Sequence, residues 1–170
     1  MLSAEALKRI DREVAKYPPD QKQSAAMSAL AIAQDEKGWL APETMDEVAR
    51  YLGMPPVAVY EVATFYAMYN LRPVGRFKIT ICTNLPCALQ DAVRSAEYLK
   101  EKLGIGFGET TPDGLFTLQE GECMGACGDA PVLLVNNKRM CSWMRPAAID
   151  TLLAQLRADA AAAPAGAGGA

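Results

Sequence analysis

Residues 77–87 read FKITICTNLPC, and this stretch decides how the second half of the chain folds. Ile79 and Ile81 alternate with polar neighbours, which is typical of a strand with one buried face. Cys82 follows directly, and Cys87 comes after four further residues that include a proline. The sequence therefore predicts a strand that delivers two thiols to a loop at its carboxyl end.

The elements downstream of this strand predict a small α/β domain. Apolar residues at helical spacing run to Gly104, a second strand is predicted over 115–119, Asn136 and Asn137 mark a hairpin, and Pro146 opens a closing helix. The order strand, helix, strand, hairpin, helix predicts helices packed on a small mixed sheet. A thioredoxin-like arrangement fits this order.

Residues 1–74 read as an N-terminal helical bundle, because apolar residues recur at helical spacing between proline and glycine stops. Asp20, with Gln23 three residues later, predicts an N-terminal capping box. The last helix of this part carries an aromatic stripe that includes Phe65 and Tyr69. We expect the stripe to pack inside the protein; the alternative is that part of it anchors a partner subunit.

Three parts are therefore predicted: a helical domain over 1–74, an α/β domain over 75–157 and a tail over 158–170. The last 13 residues contain eight alanines, three glycines, one proline and one aspartate. Nothing in this composition is large enough to bury, so the tail is expected to be disordered.

Charge and composition exclude several classes of function. The chain has 17 basic and 20 acidic residues, which leaves no positive excess for nucleic acid or for insertion at an anionic membrane surface. It contains no histidine, so Ser-His-acid triads, Cys-His dyads and His-rich zinc sites are excluded. With no export signal and no run of membrane-spanning length, we expect a reducing, cytoplasmic compartment where paired thiols hold metal.

Four of the five cysteines form two pairs. Cys82 and Cys87 have four residues between them, and Cys123 and Cys127, which follow after 35 intervening residues, have three. Each pair follows a predicted strand, and loops at one end of a sheet lie close together. A [2Fe-2S] cluster takes two thiolates on each iron, which makes it the first interpretation. A zinc site of four thiolates, thiol chemistry and plain burial stay open.

Two smaller expectations concern the surroundings of the pairs. Gly121, Gly125 and Gly128 should let the backbone wrap closely and aim N–H groups at sulfur atoms. Cys141, left over on the predicted hairpin, is expected to be an inert buried thiol.

Four segments together resemble one known family, the thioredoxin-like [2Fe-2S] subunit of respiratory complex I, the bacterial NADH:quinone oxidoreductase. They are 59–76 (VYEVATFYAMYNLRPVGR), 82–87 (CTNLPC), 108–117 (GETTPDGLFT) and 122–131 (ECMGACGDAP). The resemblance extends over about 5–157. It implies that Cys82, Cys87, Cys123 and Cys127 are the cluster ligands. Met124 stands where relatives commonly have leucine, and Cys141 where an aromatic residue is expected.

The resemblance also implies a function. In such enzymes a neighbouring flavoprotein subunit binds FMN and NADH. The protein that holds the cluster exchanges single electrons with that flavin, beside a larger iron-sulfur subunit. The assembly is the peripheral arm of a complex on the cytoplasmic face of the inner membrane. The chain would have no catalytic residue and no activity with NADH alone. Glu120, Glu122 and Asp129 could tune the cluster, although they could equally be solvated loop charges.

Other interpretations remain. The same building block occurs in NAD-linked hydrogenases and formate dehydrogenases. An iron-sulfur transcription regulator would use a helix-turn-helix around Gly53, but the second helix carries Glu61 and no basic residue for DNA. A free-standing ferredoxin would need no helical half. The glycines Gly104, Gly106 and Gly108 follow a helix rather than a strand, so they do not make a dinucleotide fingerprint.

Overall fold

The first part of the chain forms four helices, of which the third and fourth begin with proline and the second and third end at glycine. The computed structural model describes residues 1–162 and divides the chain between Pro73 and Val74 into two units, which are described separately below. The helices of the first unit are α1 (Ala4–Val14), α2 (Ala26–Lys37), α3 (Pro42–Leu52) and α4 (Pro56–Phe65). Gly38 and Gly53 end α2 and α3 at φ +80° and +68°, a conformation that glycine adopts without strain.

The first unit has its own hydrophobic core, to which every helix contributes. The largest fully buried side chains in it are Ile10 of α1, Leu30 of α2, Leu40 between α2 and α3, Val48 of α3 and Val59 of α4. Each stabilises the bundle by about 1.5–3 kcal/mol of transfer free energy. The predicted helical bundle is thus confirmed as a fold element.

Two details of this unit differ from the prediction. The capping box does not form, because a 3-10 turn, Lys22–Ala25, precedes α2; the Asp20 carboxylate instead accepts from the Gln21 side chain, at 3.4 Å. The aromatic helix ends at Phe65, since Tyr66 is extended. The stripe is consequently divided: Tyr69 is 6% exposed and donates to the Met27 carbonyl, whereas Phe65 is 79% exposed.

The second unit is built on a four-stranded sheet. Its strands are β1 (Phe77–Cys82), β2 (Phe116–Gly121), β3 (Leu133–Val135) and β4 (Arg139–Cys141), in the order β2-β1-β3-β4. β1 runs parallel to β2 and antiparallel to β3, and β3 runs antiparallel to β4. The predicted mixed sheet, and with it the α/β fold class, is confirmed.

Within residues 74–162, three helices complete this unit. A single helical turn, α5 (Leu85–Ala88), follows β1, and two longer helices, α6 (Ala92–Leu103) and α7 (Pro146–Ala162), cover one face of the sheet. Ile79 and Ile81 of β1 point into this core together with Leu99 of α6 and Ile149 of α7, all fully buried. Because side chains alternate along a strand, Cys82 lies on the other side of β1 from Ile81. The hydrophobic alternation therefore also sets the direction of the first thiol.

The hairpin forms as predicted. Asn136, Asn137 and Lys138 connect β3 to β4, and the Lys138 N–H closes the turn by donating to the Val135 carbonyl at 3.1 Å. Asn136 and Asn137 have φ +53° and +57°, positive angles that asparagine tolerates well. β2 begins and ends slightly later than the predicted 115–119.

The closing helix is longer than predicted. α7 continues to Ala162, so residues 158–162 are helical and the predicted tail does not begin at 158. Alanine is the strongest helix former, and the Arg76 guanidinium donates to the Ala160 carbonyl at 3.0 Å, which fixes this last part of the helix. The rest of the predicted tail, 163–170, lies outside the described residues.

Candidate metal centre

The two cysteine loops begin at neighbouring strand ends. β1 and β2 are parallel partners, and their last residues, Cys82 and Gly121, are in register. The Thr83 N–H continues the pairing by donating to the Gly121 carbonyl at 3.0 Å. Because parallel strands end at the same edge of a sheet, the loops that carry the two thiol pairs leave from adjacent points. The structure thus brings the two loops together, as the sequence predicted.

The first pair of thiols is buried. Cys82 ends β1, and Cys87 lies on α5, a helical turn that the sequence did not predict; the two residues are 2% and 1% exposed. They pack in a small apolar cluster with Ala92 and Val132, separate from the main core. Burial raises the pKa of the Cys87 thiol, as do the contact with Cys82 and the nearby Cys127, while a hydrogen bond with the Val132 backbone lowers it.

The second pair is exposed. Cys123 and Cys127 lie in the loop after β2, and Cys127 begins a 3-10 turn, Cys127–Asp129. Gly125, at φ +69°, lets the loop reverse, and its N–H donates to Cys123 Sγ at 3.4 Å. Met124 packs against the apolar cluster that holds the buried pair. The second loop therefore folds over the first one and leaves its own thiols towards solvent.

Gly121 is required where the second loop folds back. A Cβ at this position would lie 2.5 Å from Met124 Cε and 2.8 Å from Thr80 Cγ2. Gly125 is required by its backbone angle, whereas Gly128 has open space and no positive φ. The expected close wrapping is seen at Gly121 and the expected N–H directed at sulfur is seen at Gly125, while for Gly128 the expectation stays a prediction.

Polar contacts join the two loops, and two of the residues that make them, Thr83 and Asn84, were not singled out from the sequence. Thr83 Oγ1 donates to Glu120 Oε1 at 2.7 Å, and Asn84 Nδ2 donates to Glu122 Oε2 at 3.4 Å. The Cys82 thiol donates to the Glu122 carbonyl, also at 3.4 Å. The sequence singled out the two glutamates, but nothing in it pairs them with residues 37 and 38 positions away.

The arrangement fits a cofactor that takes thiolates in pairs. Among residues 1–162, no three Cys, Asp or Glu side chains are gathered closely enough to hold a single metal ion. The donor set nevertheless suits iron and sulfide: four thiols on two loops at one sheet edge, with a Cβ-free position at Gly121 and backbone N–H groups beside sulfur.

Two other sequence features lie outside this site. Cys141 ends β4 within the main core, where burial raises the pKa of its thiol although Arg139 lowers it. Gly104 terminates α6, and the Gly106 N–H donates to the Glu109 carboxylate at 2.6 Å. The glycine-rich segment thus ends α6 and turns back onto the Glu109 carboxylate.

Within the described residues, no helix has the length and apolar character needed to cross a membrane.

A family model described as thioredoxin-like [2Fe-2S] ferredoxin matches residues 10–157. NADH-quinone oxidoreductase subunit 2 of Thermus thermophilus is 43% identical over 149 residues, which are 88% of this chain and 82% of that protein. A subunit of the NADH-quinone oxidoreductase of Rhizobium meliloti is 44% identical over 149 residues, 88% and 87% of the two chains.

A solved NAD⁺-reducing [NiFe]-hydrogenase in the H₂-reduced state superimposes with a TM-score of 0.65 at 22% identity. The match covers 76% of this chain and only 22% of the hydrogenase chain, so it supports the thioredoxin-like fold and no more.

Proposed function

The chain belongs to the thioredoxin-like [2Fe-2S] ferredoxin family, and from that premise we propose that it is the electron-transfer subunit of an NADH:quinone oxidoreductase. The relatives over most of its length are subunits of this oxidoreductase. The observation that carries the proposal is that the two loops bearing the thiol pairs begin at adjacent ends of parallel strands, where Cys82 is in register with Gly121. We propose Cys82, Cys87, Cys123 and Cys127 as the ligands of one [2Fe-2S] cluster.

The cluster, when bound, supplies one-electron chemistry that the side chains themselves lack. Cys82 and Cys87 would bind from a pocket that excludes water, since both are almost fully buried. Cys123 and Cys127 would bind from the solvent side. The Gly125 N–H, already directed at Cys123 Sγ, would stabilise negative charge on that sulfur.

The proposed partner is a flavoprotein subunit that binds NADH and FMN. NADH delivers two electrons as a hydride, and this chain would exchange single electrons with the flavin. The exposed side of the site gives a surface for that exchange. A larger iron-sulfur subunit of the same complex would be the second partner, and the assembly would lie on the cytoplasmic face of the inner membrane. The chain alone would not oxidise NADH, because its glycine-rich segment is an α6 end closed by Glu109.

The test is cluster content and its dependence on the four cysteines. Protein purified anaerobically should be red-brown, contain two irons and two sulfides per chain, and give a paramagnetic signal after dithionite. Cys123→Ser should lose the full cluster spectrum, whereas Cys141→Ala, which removes a thiol of the separate core, should keep it. A sample that holds zinc, or a full spectrum in Cys123→Ser, would count against the proposal.

Function needs the partner, so it is tested separately. NADH should reduce the cluster only when the flavoprotein subunit is present, and the two proteins should co-purify under gentle extraction. Mass spectrometry of the intact assembly would distinguish complex I from an NAD-linked hydrogenase or formate dehydrogenase. Migration as a single free chain would instead favour a free-standing ferredoxin, and specific binding in a DNA gel shift would favour a regulator.

A further inference from the structure

Three acidic residues flank the second thiol pair in the sequence, and each accepts a hydrogen bond from a residue outside the loop that carries this pair. Glu120 accepts from Thr83, Glu122 accepts from Asn84, and Asp129 Oδ2 accepts from Ser142 Oγ at 3.0 Å. The partners lie 37, 38 and 13 positions away in the sequence. These acids are therefore engaged in holding segments together.

The contacts are concentrated where the two loops meet. Residues 82, 83 and 84 contact residues 120, 121 and 122: the Cys82 thiol reaches the Glu122 carbonyl, the Thr83 N–H reaches the Gly121 carbonyl, and two side-chain bonds flank them. The Thr83–Glu120 bond, at 2.7 Å, is the shorter of the side-chain pair. It lies directly beside Cys82, on the backbone that carries this thiol.

The far end of the second loop is fixed as well. The Asp129 carbonyl accepts from the Trp143 N–H at 2.8 Å, while its carboxylate accepts from Ser142. The loop that carries Cys123 and Cys127 is consequently tied at its entrance by Glu120 and at its exit by Asp129. Between these points its thiols are exposed and the chain has little apolar packing except through Met124 and Ala126.

We infer that Glu120, through its hydrogen bond to Thr83, is a positioning residue that holds the two cysteine loops at the separation needed for four thiolates to bind one cluster. This inference rests on the proposed cluster, and it assigns to Glu120 a role that depends on its acceptor oxygen. A role in tuning would depend on its charge. The two roles can be separated because glutamine keeps the oxygen and loses the charge.

The experiment compares variants of the full chain loaded with the cluster. Thr83→Val removes the donor and Glu120→Ala the acceptor, so both should lose the cluster to a chelator about fivefold faster, the factor that corresponds to one hydrogen bond. Both should also broaden the paramagnetic signal of the reduced protein. Glu120→Gln should lose the cluster at the wild-type rate within about twofold and keep the wild-type line width, since its amide oxygen still accepts.

Matched controls come from exposed residues elsewhere in the second unit. Thr151→Val removes a hydroxyl that bonds only its own helix, and Glu97→Ala removes an acid paired with Lys100; neither should change the rate of cluster loss. The double variant Thr83→Val/Glu120→Ala should be no faster than either single variant, because both remove the same bond.

The outcomes separate this inference from the proposed function. Wild-type protein that takes up no cluster would overturn both. A wild-type cluster with an unchanged rate in Thr83→Val would overturn the positioning role alone, and so would a Glu120→Gln that fails as fast as Glu120→Ala. Circular dichroism identifies any variant that does not fold. If Glu120→Ala or Thr83→Val does not fold, the line width of the paramagnetic signal of reduced Glu120→Gln decides whether Glu120 has the positioning role.

Discussion

Replacing Gly121 with alanine should disturb the site through a contact that the structure defines. The new Cβ would lie 2.5 Å from Met124 Cε and 2.8 Å from Thr80 Cγ2, against an optimum of about 3.5–4.0 Å between carbons. Met124 can move, since its methyl is the end of a flexible side chain, but Thr80 is β-branched and sits in a central strand. Overpacking of this kind costs about 1–3 kcal/mol.

The assay is thermal unfolding of the loaded protein, followed by near-ultraviolet circular dichroism and by bleaching of the visible absorbance. For a unit of this size the expected fall in Tm is about 5–15 °C. Absorbance should bleach before the dichroism is lost, because the strain acts on the loop that carries Cys123.

The control is Gly128→Ala in the same loop, which meets open space and should change stability by less than about 0.5 kcal/mol. In a Met124→Ala background the penalty of Gly121→Ala should shrink, because the closer of the two contacts is gone. Equal Tm values for Gly121→Ala and Gly128→Ala would refute the steric argument.

Two further predictions concern the separate units. Thr117→Val should destabilise the second unit by about 1–3 kcal/mol in chemical denaturation, because the buried Gly75 N–H would lose its 2.6 Å acceptor; an unchanged midpoint would contradict this. Hydrogen bonds from Lys37 and Ser3 lower the pKa of Glu36 to about 2 from 4.5. The ionised Glu36 carboxylate therefore stabilises the folded first unit above pH 4.5, and this contribution is lost as the pH falls through about 2. In Glu36→Gln, the loss of unfolding free energy between pH 4.5 and pH 2 should be smaller than in wild type by about 1–2 kcal/mol. If the unfolding free energies of the two proteins follow the same pH dependence, this contribution of Glu36 is excluded.

Much of the sheet could be predicted because the sequence patterns that specify its strands and its hairpin turn lie within a few neighbouring residues. Alternating Ile79 and Ile81 define β1, and Asn136-Asn137 defines the hairpin, within a few residues of sequence. The neighbouring position of the two cysteine loops also followed, since loops after parallel strands of one sheet leave from the same edge. These inferences needed only periodicity and the geometry of a sheet.

The remainder depended on contacts between distant residues. The Asp20 capping box failed although its local pattern was correct, because the chain forms a 3-10 turn, Lys22–Ala25, whose Ala25 is buried, before α2 begins. The Thr83–Glu120 bond joins positions 37 residues apart, and no pattern in one sequence links them. Residues 158–162 looked unstructured by composition, yet the Arg76 bond to Ala160 holds them in α7.

The unequal exposure of the two thiol pairs has a consequence for damage and repair. An oxidant that approaches from solvent meets Cys123 and Cys127 first, while Cys82 and Cys87 stay shielded beneath Met124 and the surrounding small side chains. Oxidation would therefore begin at Cys123 and Cys127, and the Cys82 and Cys87 thiols would stay reduced. A proposed cluster lost by oxidation of the outer pair could then be reassembled from the inner pair once Cys123 and Cys127 are reduced again.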